Sequence, residues 1–376
     1  MTAVDGIDAR LAALRGSLKT KRPNARSVAA SLDSPGCRRR AVLDAAQVDK
    51  GQLARLLGHP FRDEQSPFAL RRGNLFEDIV TRDGCAHLLA QLRERLGLEV
   101  PHARFKDLSI STAATSGEKE MRLRAAETRA ALRRLADGDD SAYNVLRHAV
   151  TTLRIGDSTV FLEQDALAFL VGGKLHVVEI KGFPVIAGVP VDQAHLEQAA
   201  RQTAVYVLSL VETLTDIGLP AELVSTDVLL VCAKNYGLTP TSAILDVRRE
   251  IRSLARQLSR RTRIKDLLDE LDPTLTFPAG MTAEDAEESL EALPNEYLPS
   301  CLSGCELAYY CRLRAVAAGA AGALGIGTRN ALGGLDDVPA AAAAAATGIP
   351  PRPEDVDVVA ALAAGRRAFL AAGGAA

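Results

Sequence analysis

Between Asn144 and Phe183 the apolar residues fall in three runs, "NVLRHAVTTLRI", "STVFLEQDALAFL" and "KLHVVEIKGF", separated by the dipeptides "GD" and "GG". Runs rich in β-branched and aliphatic residues, joined by two-residue turn signals, predict a three-strand antiparallel meander. "STDVLLVCAK" predicts a further buried strand, and "HARFKDLSIST" a short one. Elsewhere the apolar positions recur at helical spacing: over much of 31–80, along the charged stretch 117–137, over about 191–216, again over 242–270, and in the acidic "EDAEESLEAL". Strands gathered at the centre with long helices around them predict an α/β fold.

Composition divides the chain into four segments: a helical N-terminal segment (1–110), an α/β core (111–272), a cysteine-rich segment (273–318) and an Ala/Gly-rich tail (319–376) containing "AAAAAAA" and "PPRPED". Hydrophobic residues make up 47% of 376 residues but aromatics only 4%, with no Trp, so the core must be built from Leu, Val, Ile and Ala. Net charge is −2, so any contact with nucleic acid needs a local basic patch. The charged N-terminus and the lack of an apolar run of bilayer length predict a soluble, cytoplasmic protein without membrane contact. In that compartment six cysteines are reduced thiols, and their positions matter more than their number.

Side chains alternate along a strand, so Glu179 and Lys181 share one face while Val178 and Ile180 share the other. The flanks "LHVV" and "FPVI" are apolar, and a charge pair framed by core residues needs a reason. Asp165 on the preceding strand can meet both on one face. Two converging carboxylates suit a hard, oxygen-seeking cation such as Mg²⁺ or Mn²⁺, and an adjacent lysine can position water or balance developing charge. Glu163, two residues before Asp165, is a rival ligand. Glu77 falls on a predicted helix four residues after Gly73, and Gln198, Gln202 and Tyr206 recur at i, i+4 and i+8 on one helical face.

In this order, Glu77, Asp165, Glu179-Ile180-Lys181 and Gln202-Thr-Ala-Val-Tyr206 resemble the PD-(D/E)XK nuclease superfamily, RecB-like branch. The resemblance implies a restriction-endonuclease-like core, a central mixed sheet flanked by helices. It implies that Asp165, Glu179 and Glu77 hold the metal with the Ile180 carbonyl, that Lys181 orients the attacking water, and that Gln202 and Tyr206 brace the site or position substrate. The subgroup of this family that carries an iron–sulfur cluster usually has His where this chain has Glu77.

Cys301, Cys305 and Cys311 form C-x₃-C-x₅-C, a spacing that suggests metal, with zinc or an iron–sulfur cluster as the soft-ligand choices. Cys232 lies in an apolar strand and Cys85 reads as a helix-face residue, which leaves Cys37 in "SPGCRRR" as the preferred fourth thiol. One cysteine before the core and three after it is similar to the layout of CRISPR-associated RecB-like exonucleases and the AddB nuclease domain. That likeness implies a structural [4Fe–4S] cluster clasping the N- and C-terminal segments. The family commonly has two residues between the first pair of the three, so a Cys₄ zinc site stays open.

Residues 248–265 hold eight basic residues and one acid, with Arg248, Arg252, Arg256 and Arg260 every four residues. Such a stripe suits phosphates without reading bases, or is a solvated face. Arg38, Arg39 and Arg40, and Arg71 and Arg72, are further phosphate candidates. "LGIGTRNALGG" resembles a helix–hairpin–helix, with Gly325 and Gly327 at the hairpin. The sequence contains no G-x-x-x-x-G-K-[ST], so movement along DNA would come from a partner helicase or other repair or defence protein. The expectation is a metal-dependent DNA nuclease acting on single strands or duplex ends. The alternatives are a decayed nucleic-acid-binding scaffold and a zinc-stabilised interaction module.

Overall fold

The computed structural model describes residues 3–32, 34, 36–61, 67–96, 104–111, 117–139, 141–155, 158–171, 173–186, 189–190, 193–259 and 263–373. Two units interleave along the chain rather than following one another. One comprises Pro23–Leu32 and Asp63–Ile264, the other Met1–Arg22, Asp33–Arg62 and Lys265–Ala376.

The first unit is α/β. Its strands are β1 (Phe105–Asp107), β2 (Val145–Arg147), β3 (Val150–Ile155), β4 (Ser158–Glu163), β5 (Ala166–Val171), β6 (Lys174–Ile186), β7 (Val189–Pro190), β8 (Asp227–Lys234) and β9 (Pro240–Asp246). A mixed sheet runs in the order β1-β2-β5-β6-β8-β9, with β7 on the end of β6, while β3 and β4 form a separate ribbon. The β2–β5–β6 pairs are antiparallel, as the predicted meander requires, and β6 runs parallel to β8. A parallel neighbour needs a crossover, and the helix Gln193–Asp216 supplies it.

Alternation along β6 sorts its side chains to two cores. Val178 and Ile180 join Phe76, Val80, Leu88, Leu92, Leu229 and Val231 on one side of the sheet. Val177 joins Ala200, Ala204, Val207, Leu210 and Leu214 of the crossover helix on the other. The helical stretch Pro67–Leu96 covers the first side and is interrupted at Arg82–Cys85, where Asp83, Gly84 and Cys85 have φ of 54°, 64° and 64°. Cys85 is therefore not an ordinary helix-face residue: it sits in this kink with its side chain in the core. Before the kink the helix approaches β6 through two glycines, and a Cβ on Gly182 would lie 3.3 Å from Gly73 Cα.

Three predicted elements need correction. "NVLRHAVTTLRI" and "STVFLEQDALAFL" are each two strands, because the first crosses from the mixed sheet to the β3–β4 ribbon and the second crosses back. The first breaks at His148, with φ of 54°, the second at Gln164–Asp165. Polar contacts, invisible to periodicity, fix both breaks. Buried Arg124 donates to the His148 carbonyl at 2.6 Å, and buried Gln164 donates from Nε2 to Thr151 Oγ1 at 2.9 Å. Thr151 in turn shares a 2.7 Å hydrogen bond with Ser209 of the crossover helix. The helix predicted over 242–270 starts only at Arg248; Pro240–Asp246 is strand, pairing along β8 and satisfying its edge. The "GD" turn at 156–157 and Gly172 lie outside the described residues.

The second unit is helical. Ala3–Arg15, Arg38–Ala45 and Lys50–Leu56 come from the N-terminal part, and Ala283–Glu291, Ala308–Ala317, Val338–Thr347 and Val356–Ala371 from the C-terminal part. Backbone bonds join the two parts directly: Phe277 N donates to Leu14 O at 3.0 Å, and Arg39 N to Pro294 O at 2.7 Å. The Ala-rich tail packs its own small core of Ala321, Leu332, Leu335, Ala341, Ala344 and Val359. Gly325 (φ 110°) precedes the helix Ile326–Ala331, and Gly327 lies in its first turn. Among the described residues no helix is long and apolar enough to cross a membrane.

Candidate active site

Glu179 and Lys181 point from β6 toward the crossover helix, away from Val178 and Ile180. Glu179 is fully buried. Lys181 Nζ lies 2.5 Å from Glu179 Oε1, and the side chain of Gln202 bridges the pair: its Nε2 donates to Glu179 Oε1 at 2.8 Å and its Oε1 accepts from Lys181 Nζ at 3.3 Å. Gln202 Nε2 also approaches the Tyr206 hydroxyl at 3.4 Å, and Tyr206 is buried in the core beneath. The sheet-switching break at Gln164–Asp165 delivers Asp165 to the same place. The backbone N–H of Ile180 donates to Asp165 Oδ2 at 3.1 Å.

The electrostatics follow from burial and crowding. Burial and then the neighbouring Asp165 push the Glu179 carboxyl up to about 8, only partly opposed by Lys181. Burial raises Asp165 as well. Burial works against the Lys181 ammonium, but Glu179 and Asp165 outweigh it and raise its pKa. Glu179 Oε2 is buried and has no hydrogen-bond partner among the described residues. A buried, unsatisfied carboxylate oxygen is costly unless something else meets it.

Glu77 lies close enough to push both carboxyls further up, yet it is already engaged. Arg147 Nη2 donates to Glu77 Oε1 at 2.8 Å, and His148 Nε2 stands 3.7 Å from the same oxygen. The nearby His148 and the hydrogen bond from Arg147 hold the Glu77 carboxyl below its ordinary range. His148 is gripped from behind, with Nδ1 2.9 Å from Asp107 Oδ1, and Arg147 Nη1 lies 3.5 Å from Asp107 Oδ2. Among the described residues no group of three or more His, Cys, Asp or Glu side chains is gathered closely enough to hold a metal ion as they stand. The donors nevertheless fit a hard cation in chemistry, because the pair Asp165/Glu179 offers only oxygens and one of them lacks a partner.

Glu163, the rival ligand, ends β4 in an ion pair with Arg124 at 2.8 Å. Gln198 faces Arg26, accepting from its Nε at 2.7 Å. Arg72 ties down the β8–β9 turn by donating to the Tyr236 and Gly237 carbonyls. Arg248, Arg252 and Arg256 are exposed on an amphipathic helix anchored by Leu254, Arg248 being paired with Asp246; Arg260 lies outside the described residues. Sequence reasoning missed Asp107, Arg124, Arg147 and His148. One signal was available: two adjacent basic residues, Arg147-His148, inside a run that otherwise reads as a buried strand.

In the helical unit Cys37, Cys301, Cys305 and Cys311 are all buried and free. Cys37 feels Cys301, Cys311 feels both, and Cys305 feels Cys311. Burial pushes the Cys305 thiol up to about 12 and Cys311 to about 11. Three buried cations attend them. Arg39 Nη1 donates to Cys311 Sγ at 3.5 Å, Arg40 donates to the Gly304 carbonyl at 2.9 Å, and Arg40 and Lys50 both act on Cys305. Arg39 and Arg40 were expected to meet phosphate. They instead point inward beside the thiols, only 1% and 2% exposed, while Arg38 is exposed and pairs with Glu270. In chemistry, soft donors beside positive charge suit a thiolate-bound metal or cluster, whose ligands carry net negative charge, but as they stand these thiols are not gathered closely enough to hold one. Cys85 and Cys232 lie in the α/β unit's apolar cores, where burial drives their thiols up to about 11 and about 12.

No protein-family profile matches the chain, and no curated protein does. A solved structure, "Crystal structure of SSO0001", is similar over 46% of this chain and 84% of its own, at 14% identity and a TM-score of 0.19, a likeness too weak to carry an argument.

Proposed function

We propose that the chain is a divalent-metal-dependent DNA nuclease of the RecB-like PD-(D/E)XK type, with a restriction-endonuclease-like core and a structural [4Fe–4S] cluster. The observation that carries this reading is the fully buried Glu179, with one carboxylate oxygen unpartnered, crowded by Asp165 and paired with Lys181. A structural strand has little use for a fully buried carboxyl that a second acid, Asp165, pushes up further. A cation-binding site does, since the ion replaces the protons that burial would otherwise impose.

Asp165, Glu179 and Glu77, with the Ile180 carbonyl, would hold Mg²⁺ or Mn²⁺. When bound, that ion supplies Lewis-acid stabilisation of the phosphoryl oxygens and lowers the pKa of water. Lys181 orients the attacking water and offsets charge as the phosphodiester is cut. Gln202 fixes the Glu179 and Lys181 side chains relative to each other, and Tyr206 backs Gln202. Cys37, Cys301, Cys305 and Cys311 would hold the cluster, which joins the two ends of the chain and does no cutting.

The test is cleavage of end-labelled single-stranded and duplex DNA with Mg²⁺ or Mn²⁺, comparing wild type with Lys181→Ala. Loss in the variant supports the assignment. Equal cleavage removes Lys181 from the chemistry, and no cleavage by anaerobically prepared wild type on either substrate overturns the nuclease reading.

A further inference from the structure

Arg147 closes β2 directly beside the catalytic break, its Cα paired in register with Ala166, the residue after Asp165. It reaches into a knot of acids: Glu77 Oε1 at 2.8 Å, Asp107 Oδ2 at 3.5 Å and Asp78 Oδ1 at 3.8 Å. Its Nε is buried without a hydrogen-bond partner among the described residues, so the guanidinium is not saturated by these acids. Glu77 is its nearest acceptor, and Glu77 is also the carboxylate that would join Asp165 and Glu179 around an ion. Arg147 and His148 both approach Oε1, so an ion meets Glu77 through Oε2 or by displacing them, and either draws the carboxylate's charge away from Arg147.

We propose that Arg147 is a further catalytic residue of this site, a phosphate clamp that Glu77 holds in reserve. The inference rests on the nuclease reading. When the divalent ion takes up the charge of Glu77, the hold of that carboxylate on Arg147 Nη2 weakens, while Asp107 still accepts from Nη1. The anion then brought beside it is the scissile phosphodiester, whose two non-bridging oxygens match the planar fork of a guanidinium. Lysine offers the charge without the fork. The exchange of Glu77 for phosphate makes the contribution of Arg147 conditional on metal.

The experiment measures steady-state cleavage by wild type, Arg147→Lys and Arg147→Gln in Mg²⁺, and binding of a fluorescent single-stranded oligonucleotide in Ca²⁺ and in EDTA. Expected is a fall in kcat/KM on the order of 10²-fold for Arg147→Gln, with Arg147→Lys intermediate. Binding by the variants should weaken in Ca²⁺ and match wild type in EDTA, where Glu77 occupies Arg147. General structural damage would weaken binding in both media and would overturn the clamp. Wild-type kcat/KM in both variants overturns the clamp and leaves the nuclease standing. Absence of cleavage by the wild type overturns the nuclease reading, and the clamp with it. If Arg147→Gln does not melt cooperatively, Arg147→Lys alone decides by the same two readouts.

Discussion

The backbone amide of Ile180 donates to Asp165 Oδ2 at 3.1 Å, so the peptide that links Glu179 to Lys181 also fixes the second carboxylate. One strand segment thus positions all three polar groups: Glu179 and Lys181 by its pleat, Asp165 by its amide. The arrangement depends on Asp165 leaving β4 at a break, which a continuous strand could not provide.

Asp165→Asn keeps an acceptor for the Ile180 amide and nearly the same volume, so it should fold like wild type. It removes the charge that an ion needs. Metal-assisted stabilisation of phosphoryl transfer contributes several kcal/mol, which at ~1.4 kcal/mol per tenfold is a loss on the order of 10³ in rate. Matched thermal melts and a cleavage assay in Mg²⁺ check both halves. Cleavage near the wild-type rate would remove Asp165 from the site.

The raised pKa of Glu179 makes metal-free stability depend on pH in a defined direction. In the folded state its carboxyl titrates at about 8, against an ordinary value of 4.5. Between those values the native state holds a proton that the unfolded chain has released, so stability falls as pH rises. The slope approaches ~1.4 kcal/mol per pH unit inside the window and vanishes outside it. Urea unfolding in the presence of a chelator, across that window, measures it. Glu179→Gln should flatten the dependence, and saturating Mn²⁺ should raise stability most at the alkaline end.

Much of this site was legible. The alternation of "VVEIK" sent Val178 and Ile180 to one core and Glu179 with Lys181 to the other side, and helical spacing put Gln202 and Tyr206 on the same helix face. Apolar periodicity could not reveal that two strand-like runs change sheets, because their hydrophobicity continues across His148 and Gln164. Those breaks are set by buried polar contacts between residues far apart in sequence, Arg124 with His148 and Gln164 with Thr151. The same limit hid β9, most of which reads as the start of the helix over 242–270 until it is paired against β8. It also misassigned Arg39 and Arg40, whose charge reads as phosphate-binding until the thiols appear beside them.

Gly182 and Gly73 should respond oppositely to alanine. A methyl on Gly182 would press Gly73 Cα at 3.3 Å, backbone against side chain, and the helix carrying Glu77 would have to move. Overpacking of this kind costs about 1–3 kcal/mol. A methyl on Gly73 meets nothing within 4 Å, and within a helix Gly→Ala stabilises by about 0.5–1 kcal/mol. Chemical denaturation of the two variants gives the sign directly. The contact between helix and strand is not as close as described if both substitutions stabilise.

The thiol set gives a prediction that does not depend on catalysis. Burial pushes Cys305 up to about 12 and Cys311 to about 11, so without metal these thiols are protonated at neutral pH. Loading a metal must then release protons, and affinity must rise with pH. Arg39, Arg40 and Lys50 offset the negative charge that remains. Protein prepared anaerobically should be brown and contain iron. Cys37→Ser, Cys301→Ser, Cys305→Ser and Cys311→Ser should each lose colour and iron, whereas Cys85→Ala and Cys232→Ala, which sit in apolar cores, should keep both. Colourless wild type containing zinc would replace the cluster with a Cys₄ zinc site. Wild type with neither metal, and with melting unchanged by any of the four serine substitutions, would end the metal assignment for this unit.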